Sequence, residues 1–317
     1  MLKSLRRAAL ASVITFIVPG YAMADGLKVV ASFSIIGDFA RNIGGDRVTI
    51  TTLVGPDGDA HVFEPKPTDA AAVSSADVVL VNGLQFEGFL QRLVEASGTK
   101  APVFELTKGA EVLKASAEEH HHGEDGGEGE EHAGEEGHDH GAFDPHAWQS
   151  VHNAEVYVKN IADAFCTVDA AGCDVYEANA AAYGAKLEAL DAEIRAAVDG
   201  IPAMKRTIIT SHDAFGYFEH EYGIRFLAPE GVSTESEASA ADVAALIRQI
   251  REDRASAIFV ESITNPRLVE QIASETGLTV GGALYSDALS PTDGPAATYI
   301  DMMRHNITTI KGAILGS

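Results

Sequence analysis

The chain has few basic residues and almost no cysteine. Its 23 lysines and arginines face 47 aspartates and glutamates, which gives a formal net charge of −24. A nucleic-acid partner needs a basic face for its phosphates, so this charge argues against that class of function. Only Cys166 and Cys173 occur, whereas structural zinc sites are usually rich in cysteine and local in sequence. The composition therefore argues against a local, cysteine-built metal module.

Long apolar runs are also missing, and the one near the N-terminus is short. Residues 8–18 are mostly apolar but fall below the ~20 residues that a membrane span needs. A basic start precedes this run, and the small-x-small pattern Ala22-Met23-Ala24 follows it. We expect a signal peptide at residues 1–24, cleaved near Ala24, and export to the periplasm; a membrane anchor is the alternative. No cysteine lies at the cleavage point, so a lipid-modified N-terminus is not expected.

The rest of the chain alternates predicted strands and helices. Strands are predicted at residues 27–31, 48–54 and 78–81, and again at 207–210 and 257–260. This pattern predicts an α/β protein with two parallel-sheet lobes, residues 25–172 and 202–317. An alanine-rich helix within residues 173–201 would join the lobes, since its apolar residues form one stripe. An ordinary helix inside a single domain is the alternative.

The two cysteines lie seven positions apart in a chain predicted to be exported. Oxidising conditions favour a disulfide between Cys166 and Cys173. Two free thiols remain the alternative.

Residues 118–141 are unlike the rest of the chain. They combine histidines with Glu, Asp and Gly and have no apolar periodicity, so we expect a disordered loop within the N-terminal lobe. Exposed imidazoles and carboxylates would allow weak, multivalent metal capture, whereas a solvated acidic insertion without a role is the alternative. The histidines of this loop are His120, His121, His122, His132, His138 and His140.

Four other residues lie where a loop meets a regular element: His61, His146, His212 and Asp287. Three of them follow predicted strands or short apolar runs, and ligands of open α/β sheets bind beyond the carboxyl ends of strands. Three imidazoles and one carboxylate suit a borderline-soft divalent ion, above all Zn²⁺. Two ligands from each half would place the ion in the cleft between the lobes.

Further residues are assigned around this set. Asp144 and Glu261 are candidates to accept the second ring N–H of a metal-bound imidazole. Trp148 would offer an aromatic wall beside His146. Three other histidines are interpreted as structural or solvated and not as ligands: His152, His220 and His305.

Four segments together resemble the zinc-specific solute-binding proteins of bacterial ABC importers. They are Gly58-Asp59-Ala60-His61-Val62-Phe63-Glu64-Pro65, Asp144-Pro145-His146-Ala147-Trp148, Thr210-Ser211-His212-Asp213-Ala214-Phe215-Gly216-Tyr217 and Tyr285-Ser286-Asp287, with the histidine-rich insertion before the second. The resemblance implies two α/β lobes joined by a rigid helix, with the metal between them.

The same resemblance bears on metal choice and partners. Manganese-binding relatives carry Glu at the position of His212, so this histidine resembles the zinc branch; in some zinc members, water or another carboxylate replaces the ligand near Asp287. The implied partners are an ABC permease and its ATPase in the inner membrane. A periplasmic metallochaperone is a further candidate partner, and a monomer is expected. The chain has no P-loop, as expected if a separate protein supplies the energy.

The residues leave three alternative functions open. The first is a manganese- or iron-binding member of the same family. The second is a secreted zinc hydrolase, but the chain has no H-E-x-x-H motif, and a four-ligand shell leaves no open position for catalytic water. The third is a protein that uses metal only for structure.

Histidine ligation predicts that metal affinity weakens as the pH falls through about 6.

Overall fold

Two parallel four-stranded sheets form the centres of two lobes. The computed structural model describes residues 26–115 and 142–316. The first sheet contains β1 (Leu27–Phe33), β2 (Val48–Val54), β3 (Val78–Val81) and β4 (Val103–Glu105), and the second contains β5 (Thr207–Ile209), β6 (Arg225–Leu227), β7 (Ala257–Glu261) and β8 (Val280–Leu284). The sheets have the equivalent orders β2-β1-β3-β4 and β6-β5-β7-β8, with every neighbouring pair parallel. The predicted α/β class is confirmed.

Helices cover these sheets and connect their strands, as parallel pairing requires. They are α1 (Ser34–Gly44), α2 (Pro67–Ser74), α3 (Leu90–Ser97), α4 (Val151–Val168), α5 (Cys173–Asp199), α6 (Gly216–Tyr222), α7 (Ala240–Asp253), α8 (Arg267–Thr276) and α9 (Tyr299–Leu315). Capping signals mark several helix starts: Ser239 and Asp242 form a capping box at α7, and Asn265 accepts the N–H of Arg267 at α8.

Helix α5 runs between the lobes and packs against both. Its 27 residues span about 40 Å. The predicted apolar stripe of Leu187, Leu190, Ile194 and Val198 is buried. It contacts α1 and α4 of the first half and α6 and α9 of the second. The buried stripe of α5 is therefore part of the contact surface of both lobes.

One apolar core continues from the first lobe into the second. It includes Phe33 and Phe39 of the first lobe, Leu187 of α5, and Phe218 and Leu284 of the second lobe. A smaller core, built around Ile247 and Ile258, fills the far side of the second lobe. The two lobes therefore share buried surface beside their sheets, and relative displacement of the lobes would expose part of it.

The two cysteines are bonded to each other. The Cys166–Cys173 disulfide joins the end of α4 to the first residue of α5, with a Cα–Cα distance of 4.6 Å. The alternative of two free thiols is therefore wrong. Closing this short loop constrains the unfolded chain and fixes the start of the interlobe helix.

Two predicted segments lie outside the described residues: the signal peptide at 1–24 and the histidine-rich loop at 118–141. Both remain predictions. Within residues 26–115 and 142–316, no helix combines the length and the apolar character that crossing a bilayer requires.

Candidate metal centre

The loop after β2 brings His61 to the carboxyl ends of the strands. Asp59 fixes its backbone, because Asp59 Oδ1 accepts the N–H of His61 at 2.9 Å. The other oxygen of Asp59 accepts the hydroxyl of Thr234, from the second lobe, at 2.7 Å. One carboxylate thus holds His61 and joins the two sides of the cleft. His61 keeps 8% of its surface exposed, whereas His146, His212 and Asp287 keep none.

His146 begins the short helical turn that leads into α4. Asp144 Oδ1 accepts the backbone N–H of His146 at 2.9 Å and lies 2.7 Å from its Nδ1. Tyr217, from the second lobe, donates its hydroxyl to the carbonyl of Asp144 at 2.7 Å. A Cβ atom at Gly216 would lie 2.6 Å from Asp144 Oδ2, so only glycine lets α6 approach this closely. The Nε2 atom of His146 is thereby directed away from Asp144.

His212 lies beyond the end of β5 and is held by a carboxylate from the neighbouring strand β7. Glu261 Oε1 accepts the backbone N–H groups of Ser211 and His212 at 2.8 and 2.9 Å. Glu261 Oε2 lies 2.8 Å from His212 Nδ1. Both side chains are fully buried. Each of these two carboxylates thus lies within 2.8 Å of the Nδ1 atom of one imidazole, Asp144 beside His146 and Glu261 beside His212.

Asp287 follows β8 and is fixed through the residue before it. Trp148 Nε1 and Gln149 Nε2 both donate to the carbonyl of Ser286, at 2.9 and 2.8 Å. These donors belong to the first half of the chain, so hydrogen bonds across the cleft position the Asp287 carboxylate.

The four side chains converge on one point. Asp287 Oδ2 lies 3.2 Å from Nε2 of both His61 and His212, and Asp287 Oδ1 lies 3.6 Å from Nε2 of His146. One donor atom from each residue lies within 4.8 Å of all the others. Tetrahedral Zn²⁺ with bonds of about 2.0–2.1 Å separates its ligand atoms by about 3.3 Å. The distances of 3.2–3.6 Å between the Asp287 oxygens and the three Nε2 atoms are close to that separation.

Charge in this buried cluster shifts its pKa values. Burial alone would lower the pKa of His146, but the carboxylates of Asp287 and Asp144 outweigh it and raise the pKa to about 9. Burial acts in the same way on His212, and the carboxylates of Glu261 and Asp287 raise its pKa well above the usual value. The two imidazoles hold the pKa of Asp287 well below its usual value, although burial alone would raise it. The cluster thus favours positive charge at its centre.

The remaining histidines of the described chain lie elsewhere. The Nδ1 atom of His152 lies 3.8 Å from Glu155 on the surface of α4, and Nε2 of His305 contacts the carbonyl of Ala283. Among the described residues, His152, His220 and His305 do not belong to the cluster of His61, His146, His212 and Asp287. The six histidines predicted for weak metal capture lie outside those residues.

One residue at the site was not predicted. Phe86 packs its ring against His61 and His146, with centroids 4.9 and 5.9 Å apart, and against Trp148 at 4.8 Å. A signal for it exists in the sequence, because Phe86 follows the buried apolar run of β3 and so lies at the carboxyl end of a central strand. The predicted wall, Trp148, also contacts His146, at 5.3 Å between centroids.

Comparisons with known proteins show which family the chain belongs to. The family model described as "Zinc-uptake complex component A periplasmic" matches residues 29–313. The manganese-binding lipoprotein MntA of Halalkalibacterium halodurans is 35% identical over 290 residues, covering 92% of this chain and 89% of the relative. The iron-binding protein YfeA of Yersinia pestis is 33% identical over 316 residues, covering 96% and 95%.

Solved structures give the same result. The periplasmic zinc-binding protein TroA of Treponema pallidum has a TM-score of 0.80 at 30% identity, covering 91% of this chain and 99% of that one. The manganese-bound periplasmic metal-binding protein from Candidatus Liberibacter asiaticus has a TM-score of 0.77 at 30% identity, with the same coverage. The matched proteins are binding proteins, so the hydrolase alternative is wrong. The chain belongs to the family of periplasmic metal-binding proteins that serve ABC metal importers, and is not an enzyme.

Proposed function

We propose that the chain captures Zn²⁺ outside the cytoplasm and delivers it to an ABC permease driven by a separate ATPase. In this proposal the ligands are Nε2 of His61, His146 and His212 and the carboxylate of Asp287. The observation that carries it is the convergence of these four groups, from both lobes, within 4.8 Å of one another. Asp144 and Glu261 would accept the second ring N–H of His146 and His212 and so orient both rings.

The donor set supports zinc over manganese. Three imidazole nitrogens and one carboxylate suit zinc, whereas manganese prefers a shell richer in oxygen. The cluster is also nearly closed to water, since three of the four side chains have no exposed surface. The names of the relatives favour the alternative that the chain carries manganese or iron, since MntA is named for manganese and YfeA for iron. A metal competition experiment separates the two candidates.

In that experiment, protein stripped of metal is dialysed against equal concentrations of Zn²⁺, Mn²⁺ and Fe²⁺ without oxygen, and its metal content is measured. We expect one zinc per chain, because the four buried donors form a single cluster. We expect almost no manganese or iron, because three imidazoles and one carboxylate suit zinc. A majority of manganese or iron in the protein would contradict the zinc proposal and leave the chain as a carrier of that metal.

Zinc binding at pH 7 should release protons. Burial lowers the pKa of both His146 and His212, but the surrounding carboxylates raise it, to about 9 for His146 and well above the usual value for His212, so we expect both rings to be protonated at pH 7 in the metal-free protein. Only neutral imidazole binds a metal ion, so each zinc should displace about two protons. This exchange leaves the net charge of the buried cluster unchanged.

Zinc affinity should rise as the pH rises from 7 towards 9 and fall as the pH falls. Protons should therefore begin to compete with zinc at a higher pH than they would for histidines with the usual pKa of about 6.5. Calorimetric titration in buffers of different ionisation enthalpy measures the protons released. A binding enthalpy that does not depend on the buffer would contradict this prediction.

A further inference from the structure

The turn after β3 is strained. Gly83, Leu84 and Gln85 have successive positive φ angles of 90°, 54° and 65°, and the N–H of Phe86 closes the turn onto the carbonyl of Gly83 at 3.1 Å. Turns with positive φ at both central positions favour Gly, Asn or Asp there, and not Leu or Gln. Such a conformation is unfavourable for a non-glycine residue and persists only where the surroundings enforce it.

The buried carboxylate of Glu87 holds the turn in this conformation. Its Oε1 accepts the hydroxyl of Ser32 and the backbone N–H of Asn82, both at 2.6 Å, and its Oε2 accepts the N–H of Gly83 at 3.3 Å. The Asn82 side chain in turn donates to the carbonyl of Pro145 at 2.9 Å, next to His146. The turn is thus attached both to the sheet and to the segment that carries a cluster histidine.

The turn and its hydrogen bonds to Glu87 determine where Phe86 lies. Its ring is 1% exposed and lies between the cluster and the aromatic core, with Phe33 at 5.0 Å and Trp148 at 4.8 Å behind it. The edge-to-face contacts with His61 and His146 restrict rotation of both imidazoles.

A large cavity lies on the outer side of the same turn. It has a volume of about 1110 Å³ and is lined by the strained turn, Phe86 and Phe89. Among the four cluster residues, all within the described chain, only His61 lines it. Phe86 and His61 therefore separate a cavity open to water from the three fully buried members of the cluster.

We infer that Phe86 is a positioning residue that determines metal specificity: it holds the rings of His61 and His146 and keeps water from the cavity out of the metal shell. The inference rests on the proposed ligands and the proposed zinc preference. Water admitted beside His61 would add oxygen ligands and raise the coordination number, which favours manganese relative to zinc. An apolar wall thus limits the shell to the four protein donors.

The test compares Phe86→Leu and Phe86→Ala with the unchanged chain and with Phe89→Leu. Phe89 is the matched control, since it lies on the same cavity, is 3% exposed and packs on Phe63. The affinities for Zn²⁺ and Mn²⁺ are measured by competition titration, and the absorption spectrum of the Co²⁺-loaded protein reports the coordination number. We expect both Phe86 variants to lower the zinc-to-manganese affinity ratio by about tenfold or more, and to change the cobalt spectrum from four-coordinate to a higher number.

The control should keep the ratio and the spectrum of the unchanged chain. Should Phe86→Ala fail to fold, as judged by thermal unfolding, Phe86→Leu decides, because leucine preserves most of the apolar volume. An unchanged ratio and spectrum in a folded Phe86 variant would overturn the inference alone. A preference of the unchanged chain for manganese would instead overturn the proposed function.

Discussion

Replacing His212 with alanine is expected to abolish tight zinc binding. Zinc shells of four protein ligands contribute about 10–16 kcal/mol at pH 7, so one ligand accounts for about 3 kcal/mol, or more than a hundredfold in affinity. The loss should exceed this, because His212 also separates two buried carboxylates. Its Nδ1 lies 2.8 Å from Glu261 and its Nε2 lies 3.2 Å from Asp287. Without the ring, Glu261 loses its charged partner in the protein interior.

The measurement is a competition titration against a chelator of known zinc affinity. His152→Ala is the matched control, because its side chain is 66% exposed and its nearest charged contact is Glu155 at 3.8 Å. The control should bind zinc as tightly as the unchanged chain. Thermal unfolding of the metal-free variants separates loss of a ligand from loss of the fold. Zinc affinity in folded His212→Ala that matches the control would remove His212 from the site.

The second large effect is expected for Asp287→Asn, which keeps the shape of the side chain and removes its charge. Asp287 is fully buried, and its two oxygens contact all three cluster imidazoles. The substitution removes the anionic ligand, so zinc affinity should fall by more than about a hundredfold. It should also lower the pKa of His146 and His212 in the metal-free protein, because the Asp287 carboxylate raises both and burial then acts against less opposing charge.

Two measurements check this prediction. Competition titration gives the zinc affinity, and NMR titration of the imidazole C–H signals in metal-free protein gives the two pKa values. Asp293→Asn is the control, since Asp293 lies six positions later on the surface. Unchanged histidine pKa values in folded Asp287→Asn would show that Asp287 does not govern the charge of this cluster.

Much of this site could be predicted because of where parallel strands end. His61 follows a strand of the first sheet, His212 and Asp287 follow strands of the second, and ligands of open α/β sheets bind beyond the carboxyl ends of the strands. His146 does not follow a strand; the Asp144-Pro145-His146 segment and its resemblance to a family indicated it. The pairing of Asp144 and Glu261 with histidines followed from the chemistry of ligated imidazoles.

Other features depended on tertiary contacts that sequence patterns do not contain. Strands β4 and β6 have three residues each, too few for a periodic pattern to be distinct. The hydrogen bond between Asp59 and Thr234 joins residues 175 positions apart. The position of Phe86 depends on a turn in which Leu84 and Gln85 adopt positive φ, contrary to their local preference. Asn82-Gly83 marks a turn in the sequence, but the positive φ angles of Leu84 and Gln85 depend on buried Glu87, which local sequence patterns do not indicate.

Everything proposed for this chain depends on several imidazole nitrogens and one carboxylate oxygen holding a single zinc ion between the lobes. The most direct measurement is a crystal structure of the zinc-loaded protein with diffraction data collected on both sides of the zinc absorption edge. We expect one strong anomalous peak within about 2.0–2.3 Å of Nε2 of His61, His146 and His212 and of an Asp287 oxygen. A peak elsewhere, with none between these four side chains, would contradict the assignment of the site and of zinc as its cargo.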